Sequence, residues 1–326
     1  MRSWLLPEHV EDVLPHEAEG LERLRRTILD HLMAAGYRIV QPPMVEHLES
    51  LLTGSARDLD LLTFKIVDPL SGRMLGVRAD ITPQVARIDA HLLNAAGVNR
   101  LCYAGNVLRA TPVPPAMSRE VMQVGAELYG EPSIAGDNEA IGLMLSSLTA
   151  AGLPGLHLDL GHVGVYRALV NASGSIGGGD DDDLFNAMRV KDVPGVVALT
   201  TKLAPAWRHA LCALPLLYGP ADEVLARARG TLPDVPAVAN ALSALESLAH
   251  AFGSRVEALH VDLADLRGYH YHNGPIFSAF VEDEPNAVGN GGRYDGVGKA
   301  FGKIRPATGF TLDLRQLFVV LTRTAS

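Results

Sequence analysis

The chain has 326 residues, 48% of them hydrophobic, with 28 Lys and Arg against 37 Asp and Glu and a formal net charge of −9. That length suits one large domain with an insertion, or two domains, and an acidic balance with scattered basic residues argues against a binder of nucleic-acid backbone. No apolar run approaches a membrane span, Pro7 and the acids after it interrupt any secretory segment, and two cysteines far apart in sequence, Cys102 and Cys212, read as free thiols, so a cytoplasmic protein is expected.

Residues 16–35 carry Leu21, Leu24, Ile28, Leu32 and Met33 at helical spacing, with "RLRR" (23–26) as a solvated face and Gly36 as the stop. "YRIVQPPMVEH" follows as a strand broken by Pro42 and Pro43. "LTFKIVD" (62–68) and "RMLGVRAD" (73–80) read as a hairpin around "PLSG". Arg78, Asp80 and Thr82 alternate onto one face, and a helix over 82–95 takes Thr82 as its N-cap and Pro83 in its first turn. "LCYAGNVLR" (101–109) is a strand. After a loop with three prolines comes a second, in which Gln123 and Glu127 point one way and Met122, Val124, Ala126 and Leu128 the other. One polar and one apolar face suit a strand that floors a pocket over a core. A helix around 137–151 and the strand "LHLDLGH" (156–162) follow.

The texture then changes. "NASGSIGGGDDDD" (171–183) reads as an acidic loop leading into an Ala/Leu-rich helical stretch over 184–255. Its four aspartates, 180–183, lack the spacing of a calcium loop and read as a solvated charge run. From 257 strand patterns return in "ALHVDL", "GPIFSAFV" and "ATGFTLDL". In "LRGYHYHNGPIF" (266–277), read as a strand, His270 and His272 share a face with no third metal ligand nearby, and Arg267, Tyr269 and Tyr271 share the other. The glycines of "VGNGGRYDG" (288–296) allow a tight bend or the close approach of a ligand, with a plain turn as the default reading. Strands interleaved with helices, several in adjacent hairpins, favour an α+β fold with a mixed or antiparallel sheet flanked by helices, which the resemblance described below narrows to a mostly antiparallel one. The domain boundaries expected are a core of 1–170 with 256–326 and a mostly helical insertion of 171–255. Neither a cofactor nor a metal is expected, and no nucleophile elbow, H-E-x-x-H or dinucleotide fingerprint is present.

Several segments, in order, resemble the catalytic core of histidyl-tRNA synthetase, a class II aminoacyl-tRNA synthetase. "GYRIVQPPMVE" (36–46) is similar to the motif 1 of its dimer interface, "VRADITPQVAR" (77–87) to its Arg-Pro-Glu-x-Thr segment, and 105–130 to motif 2. "LRGYHYHNGPIF" and "GGRYDG" (291–296) resemble its two histidine motifs, and "GFTLDLRQL" (309–317) its motif 3. The departures fall on the nucleotide side. Thr111 stands at the glutamate of the Arg-x-Glu in motif 2, and Pro112, Pro114 and Pro115 occupy a loop that is rich in charge in the synthetases. In motif 3 the arginine is replaced by Gln316, and Arg315, one step away, points about 100° aside on a helix. The resemblance runs out where a synthetase core ends, so no anticodon-binding domain and no tRNA partner are expected.

The amino-acid side is kept. The resemblance implies that Asp80, Thr82 and Gln123 meet the ammonium of L-histidine, Arg109 and Arg267 its carboxylate, and Glu127, with Tyr271 or His272, its imidazole. Asp80 is one methylene shorter than the glutamate of the synthetases, Ala79 replaces their proline, and His272 stands at their second tyrosine. A synthetase-like core of this kind resembles the regulatory subunits of ATP phosphoribosyltransferase. The implied role is non-catalytic: a homodimer within a hetero-oligomer, assembled with a short catalytic subunit for the first step of histidine biosynthesis and conferring feedback by histidine. The alternatives are a truncated amino-acid-activating enzyme and a stand-alone amino-acid-binding module.

Overall fold

The computed structural model describes residues 5–53, 57–112, 118–174 and 180–324. Its first helix, Pro15–Ala34, starts on a proline whose missing N–H costs nothing there, and it buries Leu21, Leu24, Ile28, Leu29 and Leu32 along one stripe. Met33 lies off that stripe and is exposed. Gly36, at φ 89°, ends the helix by donating its N–H to the Met33 carbonyl. Gly20 lets the helix Leu314–Thr324 approach, since a Cβ there would lie 2.1 Å from Phe318.

The chain divides into two compact units. The first comprises Met1–Pro154, Glu284–Gly291 and Asp295–Ser326. Here Asn99–Leu108 pairs in parallel with Arg38–Ile39 and antiparallel with Glu120–Tyr129, which pairs antiparallel with Ala307–Asp313. A smaller sheet sets Met74–Val77 between Val45–His47 and Phe64–Val67, so the break at Pro42-Pro43 and the hairpin around 68–73 form as expected. Both faces of Glu120–Tyr129 are buried from Gln123 onward, its polar face included. The second unit comprises Gly155–Asp283 and Gly292–Tyr294. Its Leu156–His162 pairs antiparallel with Pro275–Val281 and in parallel with Ala258–Asp262, and the last pairs antiparallel with Tyr218–Pro220. Helices Val193–Leu199, Pro205–Ala213, Ala221–Thr231 and Pro236–Phe252 fill the Ala/Leu-rich stretch, and three of them take a proline in their first turn.

Five local expectations need correction. The helix Val163–Ser173 runs on through the start of the supposed loop, and a further helix, Asp180–Arg189, begins at the first of the four aspartates. Acids in a first turn complement the partial positive charge of a helix N-terminus. Thr82 is not a cap: the helix Thr82–Arg87 has Ile81 at that place with no side-chain bond, and the chain continues as a π-helix, Ile88–Leu93. Arg78 does not share a face with Thr82. The strand ends at Val77, and the Arg78 guanidinium donates to the carbonyls of Pro42 and Asn106 at 2.9 and 2.8 Å. Residues 267–271 form a turn, so the alternation assigned to them lapses and the strand starts only at Pro275. Gly289–Arg293 is a strand, not a plain turn.

Both cysteines are free, and burial pushes the Cys102 thiol up to about 11. No described helix is long and apolar enough to cross a membrane.

Candidate functional site

Tyr103 is the centre of the polar cluster in the first unit. In register it stands opposite Gly125, and Gly125 stands opposite Thr311 on the next strand. A side chain at 125 would block the ring, because its Cβ would fall 2.4 Å from the phenol oxygen. With glycine there, Tyr103 lies across the neighbouring strand and brings its hydroxyl within 2.9 Å of Thr311 Oγ1. It donates to Glu127 Oε1 at 3.1 Å and lies 3.1 Å from Thr82 Oγ1, which itself donates to the same carboxylate oxygen at 2.9 Å. Glu127 is 1% exposed and Tyr103 fully buried. Burial, reinforced by the carboxylates of Glu127 and Asp80, holds the phenol well above its ordinary range, so Tyr103 remains a donor.

Asp80 and Gln123 meet at a single N–H: the Ile81 amide donates to Asp80 Oδ1 at 2.8 Å and to Gln123 Oε1 at 3.2 Å. Four of the expected residues, Asp80, Thr82, Gln123 and Glu127, are thus gathered around the start of one helix. Arg109 belongs to the same unit. Its backbone N–H bonds to the Arg119 carbonyl at 2.8 Å, while its side-chain Nε is buried with no partner among the described residues. The Arg109 charge lies near Asp313 and works against the rise in that carboxyl's pKa, which burial causes.

The nucleotide side of the synthetase pattern is rebuilt. Arg315 pairs with Glu11 at 3.2 Å and with Glu120 at 3.7 Å, which spends its charge on carboxylates. Gln316, in the place of the synthetase arginine, has a buried Nε2 with no partner among the described residues. Thr111 is exposed. Pro112 is described, whereas Pro114 and Pro115 lie outside the described residues.

The other three expected residues lie in the second unit, on the turn after Leu266. Arg267 is exposed and its Nε lies 3.0 Å from both oxygens of Asp265. Tyr271 stacks on Tyr294 at 4.9 Å between centroids. His272 Nδ1 lies 3.2 Å from the Arg293 carbonyl, and burial takes its pKa down to about 4, so it is neutral at pH 7. Gly292 makes room for that ring, as a Cβ there would lie 2.8 Å from it. Among the described residues, no group of three or more His, Cys, Asp or Glu side chains could hold a metal ion.

His162 has a similar environment. Its Nδ1 accepts from the Gly164 N–H at 3.0 Å, capping the helix Val163–Ser173, and burial also takes its pKa down to about 4. The unfolded chain protonates these rings near 6.5 and the native one near 4, so stability is full above about pH 6.5 and is lost as pH falls towards 4. Both residues are only partly buried, and the expected loss is about 1–2 kcal/mol for each. Urea midpoints from pH 7.5 to pH 4.5 would check this against His162→Gln and His272→Gln, in which that part of the pH slope should be missing.

Sequence reasoning missed Tyr103, Gly125 and Gly309, the last beside Glu127, where a Cβ would lie 1.8 Å from Oε2. The readable signal was glycine inside otherwise good strands, which marks a close approach.

The family model described as Histidyl-tRNA synthetase matches residues 9–317. The ATP phosphoribosyltransferase regulatory subunit of Ralstonia pickettii (strain 12J) is 56% identical over 315 residues, which cover 97% of this chain and 80% of that protein. That of Thiobacillus denitrificans (strain ATCC 25259 / T1) is 54% identical over 319 residues, covering 98% of both. Among solved structures, an ATP phosphoribosyltransferase regulatory subunit/histidyl-tRNA synthetase from Bacillus halodurans C superposes with a TM-score of 0.85 at 27% identity, covering 97% of this chain and 83% of the other. The α+β class II synthetase fold and the non-catalytic reading agree with these relatives, and the chain belongs to the family of ATP phosphoribosyltransferase regulatory subunits built on the histidyl-tRNA synthetase core.

Proposed function

We propose that this chain assembles with a short catalytic ATP phosphoribosyltransferase subunit, holds L-histidine, and passes histidine occupancy to that subunit as feedback inhibition. The partner is supported by the relatives, which are named as regulatory subunits of that enzyme. The observation that carries the ligand is the buried Thr82–Tyr103–Glu127 cluster. A carboxylate that is 1% exposed, fixed by two hydroxyl donors, is pre-oriented to accept a further N–H from an imidazole or an ammonium. The buried Arg109 Nε, without a partner among the described residues, supplies a donor for a carboxylate. Asp80 and Gln123 take the ammonium in this reading. Arg267, Tyr271 and His272 enter it through the resemblance to the synthetases. The pairing of Arg315 with Glu11 and Glu120 supports a role without ATP activation.

Feedback of this kind needs histidine to favour one quaternary state over another, and a coupling of roughly 1–3 kcal/mol suffices. A homodimer through the 36–46 segment is part of the proposal, supported by the exposure of Ile39 and Met44, at 54% and 41%. A cytoplasmic location is proposed with it.

Calorimetric titration of L-histidine into the isolated chain, then into its complex with the catalytic subunit, tests the reading. Glu127→Ala is expected to weaken histidine binding roughly 10- to 100-fold, the value of one charge-assisted hydrogen bond, and to leave the dimer intact. A catalytic subunit whose activity and histidine sensitivity are the same with and without this chain would refute the proposal. So would brisk histidine-dependent pyrophosphate exchange from ATP.

A further inference from the structure

The turn that carries Tyr271 and His272 closes on itself through three backbone bonds. The Tyr269 N–H reaches the Leu266 carbonyl at 3.1 Å, and the N–H groups of Tyr271 and His272 both reach the Gly268 carbonyl, at 2.8 and 2.7 Å. Gly268 sits at φ 62°, which glycine adopts without strain. That arrangement leaves the carbonyls of Tyr269 and His272 outside the turn's own bonding. Arg167, one turn into the helix Val163–Ser173, donates to both from Nη2, at 3.0 and 3.2 Å. Its guanidinium also covers the Tyr269 ring at 4.8 Å, and that ring packs edge-on against Tyr166 at 5.5 Å and beside Phe185 at 5.0 Å. One cation therefore ties both ends of a four-residue segment to a rigid helix, while Tyr271 and His272 pack on the other side against Tyr294.

We propose that Arg167 is a positioning residue for histidine binding: it clamps the Tyr269–His272 segment so that Tyr271 and His272 are held ready for the ligand. The proposal rests on the histidine site put forward above. A carbonyl needs a donor, and the two N–H groups of one guanidinium nitrogen serve both carbonyls while the planar cation lies over the Tyr269 ring. An ammonium at the same place keeps the charge and N–H donors but loses the planar face that covers the Tyr269 ring. Methionine keeps the apolar stem alone.

The test compares wild type, Arg167→Met and Arg167→Lys as full chains, by amide hydrogen exchange over 266–273 and by L-histidine calorimetry. The expected result is protected Tyr271 and His272 amides in wild type, at least tenfold faster exchange with roughly tenfold weaker histidine binding in Arg167→Met, and partial recovery of both in Arg167→Lys. The Lys variant also serves if the Met variant does not fold. Unprotected amides in wild type, or protection unchanged in both variants, would overturn the clamp. Faster exchange with unchanged affinity would overturn its role in binding. If wild type binds no histidine, the site reading fails on its own, and the exchange data still decide whether Arg167 holds the turn.

Discussion

Gly309→Ala is expected to lower the unfolding free energy by about 3–5 kcal/mol and to abolish the Glu127 site. Gly309 stands opposite Glu127 in the strand pair Glu120–Tyr129 and Ala307–Asp313. A Cβ at 309 would fall 1.8 Å from Glu127 Oε2 and 2.5 Å from the Ala126 carbonyl oxygen. The first clash could be relieved only by turning the carboxylate away. That carboxylate is 1% exposed, and its other oxygen already accepts from Thr82 and Tyr103, so turning it breaks buried charge-assisted bonds. The second clash is with backbone, and relieving it means parting two strands joined along seven register positions from Ala307 to Asp313. Gly230 provides the contrast. It lies in the helix Ala221–Thr231 with nothing within 4 Å of its virtual Cβ, and alanine there should stabilise by about 0.5–1 kcal/mol. Urea midpoints for both variants make the check, and a Gly309→Ala midpoint equal to that of wild type would show that the strands yield without cost.

Most of the scaffold could be read because its signals are local. The spaced leucines and Gly36 define the first helix, and the turn residues between Val67 and Met74 define a hairpin. Asp80, Thr82, Gln123 and Glu127 could be grouped from their resemblance and, for the last two, from alternation, and they lie together around the start of one helix. The failures are places where a local pattern had two solutions. "RGYHYH" alternates like a strand, but the i to i+3 and i to i+4 bonds to the Gly268 and Leu266 carbonyls close it into a turn. The aspartates at 180–183 look like a loop by charge, yet acids suit the first turn of a helix equally well. Tyr103 was invisible because a tyrosine in an apolar strand reads as core. What makes it the hub is the absence of a side chain at Gly125 on the adjacent strand, a relation across strands that spacing along the chain does not encode.

The same limit applies to Arg305, whose partner is distant in sequence. Arg305→Met is expected to destabilise the first unit by about 3–5 kcal/mol, the usual loss when one member of a buried ion pair is removed. Arg305 is 7% exposed and Asp89 1%, and their side chains approach to 3.3 Å. Asp89 keeps one further bond, from Asn99 Nδ2 at 2.6 Å, which cannot neutralise a buried carboxylate. The guanidinium also donates to the carbonyls of Ala95 and Gly97, and neighbouring Lys303 reaches the Ala95 carbonyl at 3.0 Å and Asn94 Oδ1 at 2.7 Å. Arg305 therefore does two things: it balances the Asp89 charge, and it pins the loop that follows the π-helix Ile88–Leu93. A double-mutant cycle separates them. Asp89→Asn removes the charge while keeping the shape. If charge balance dominates, Arg305→Met in the Asp89→Asn background should cost less than half of what it costs alone, leaving only the lost carbonyl contacts. If the two substitutions add, the ion pair contributes nothing beyond its parts, and the stability of this corner comes from the loop contacts alone.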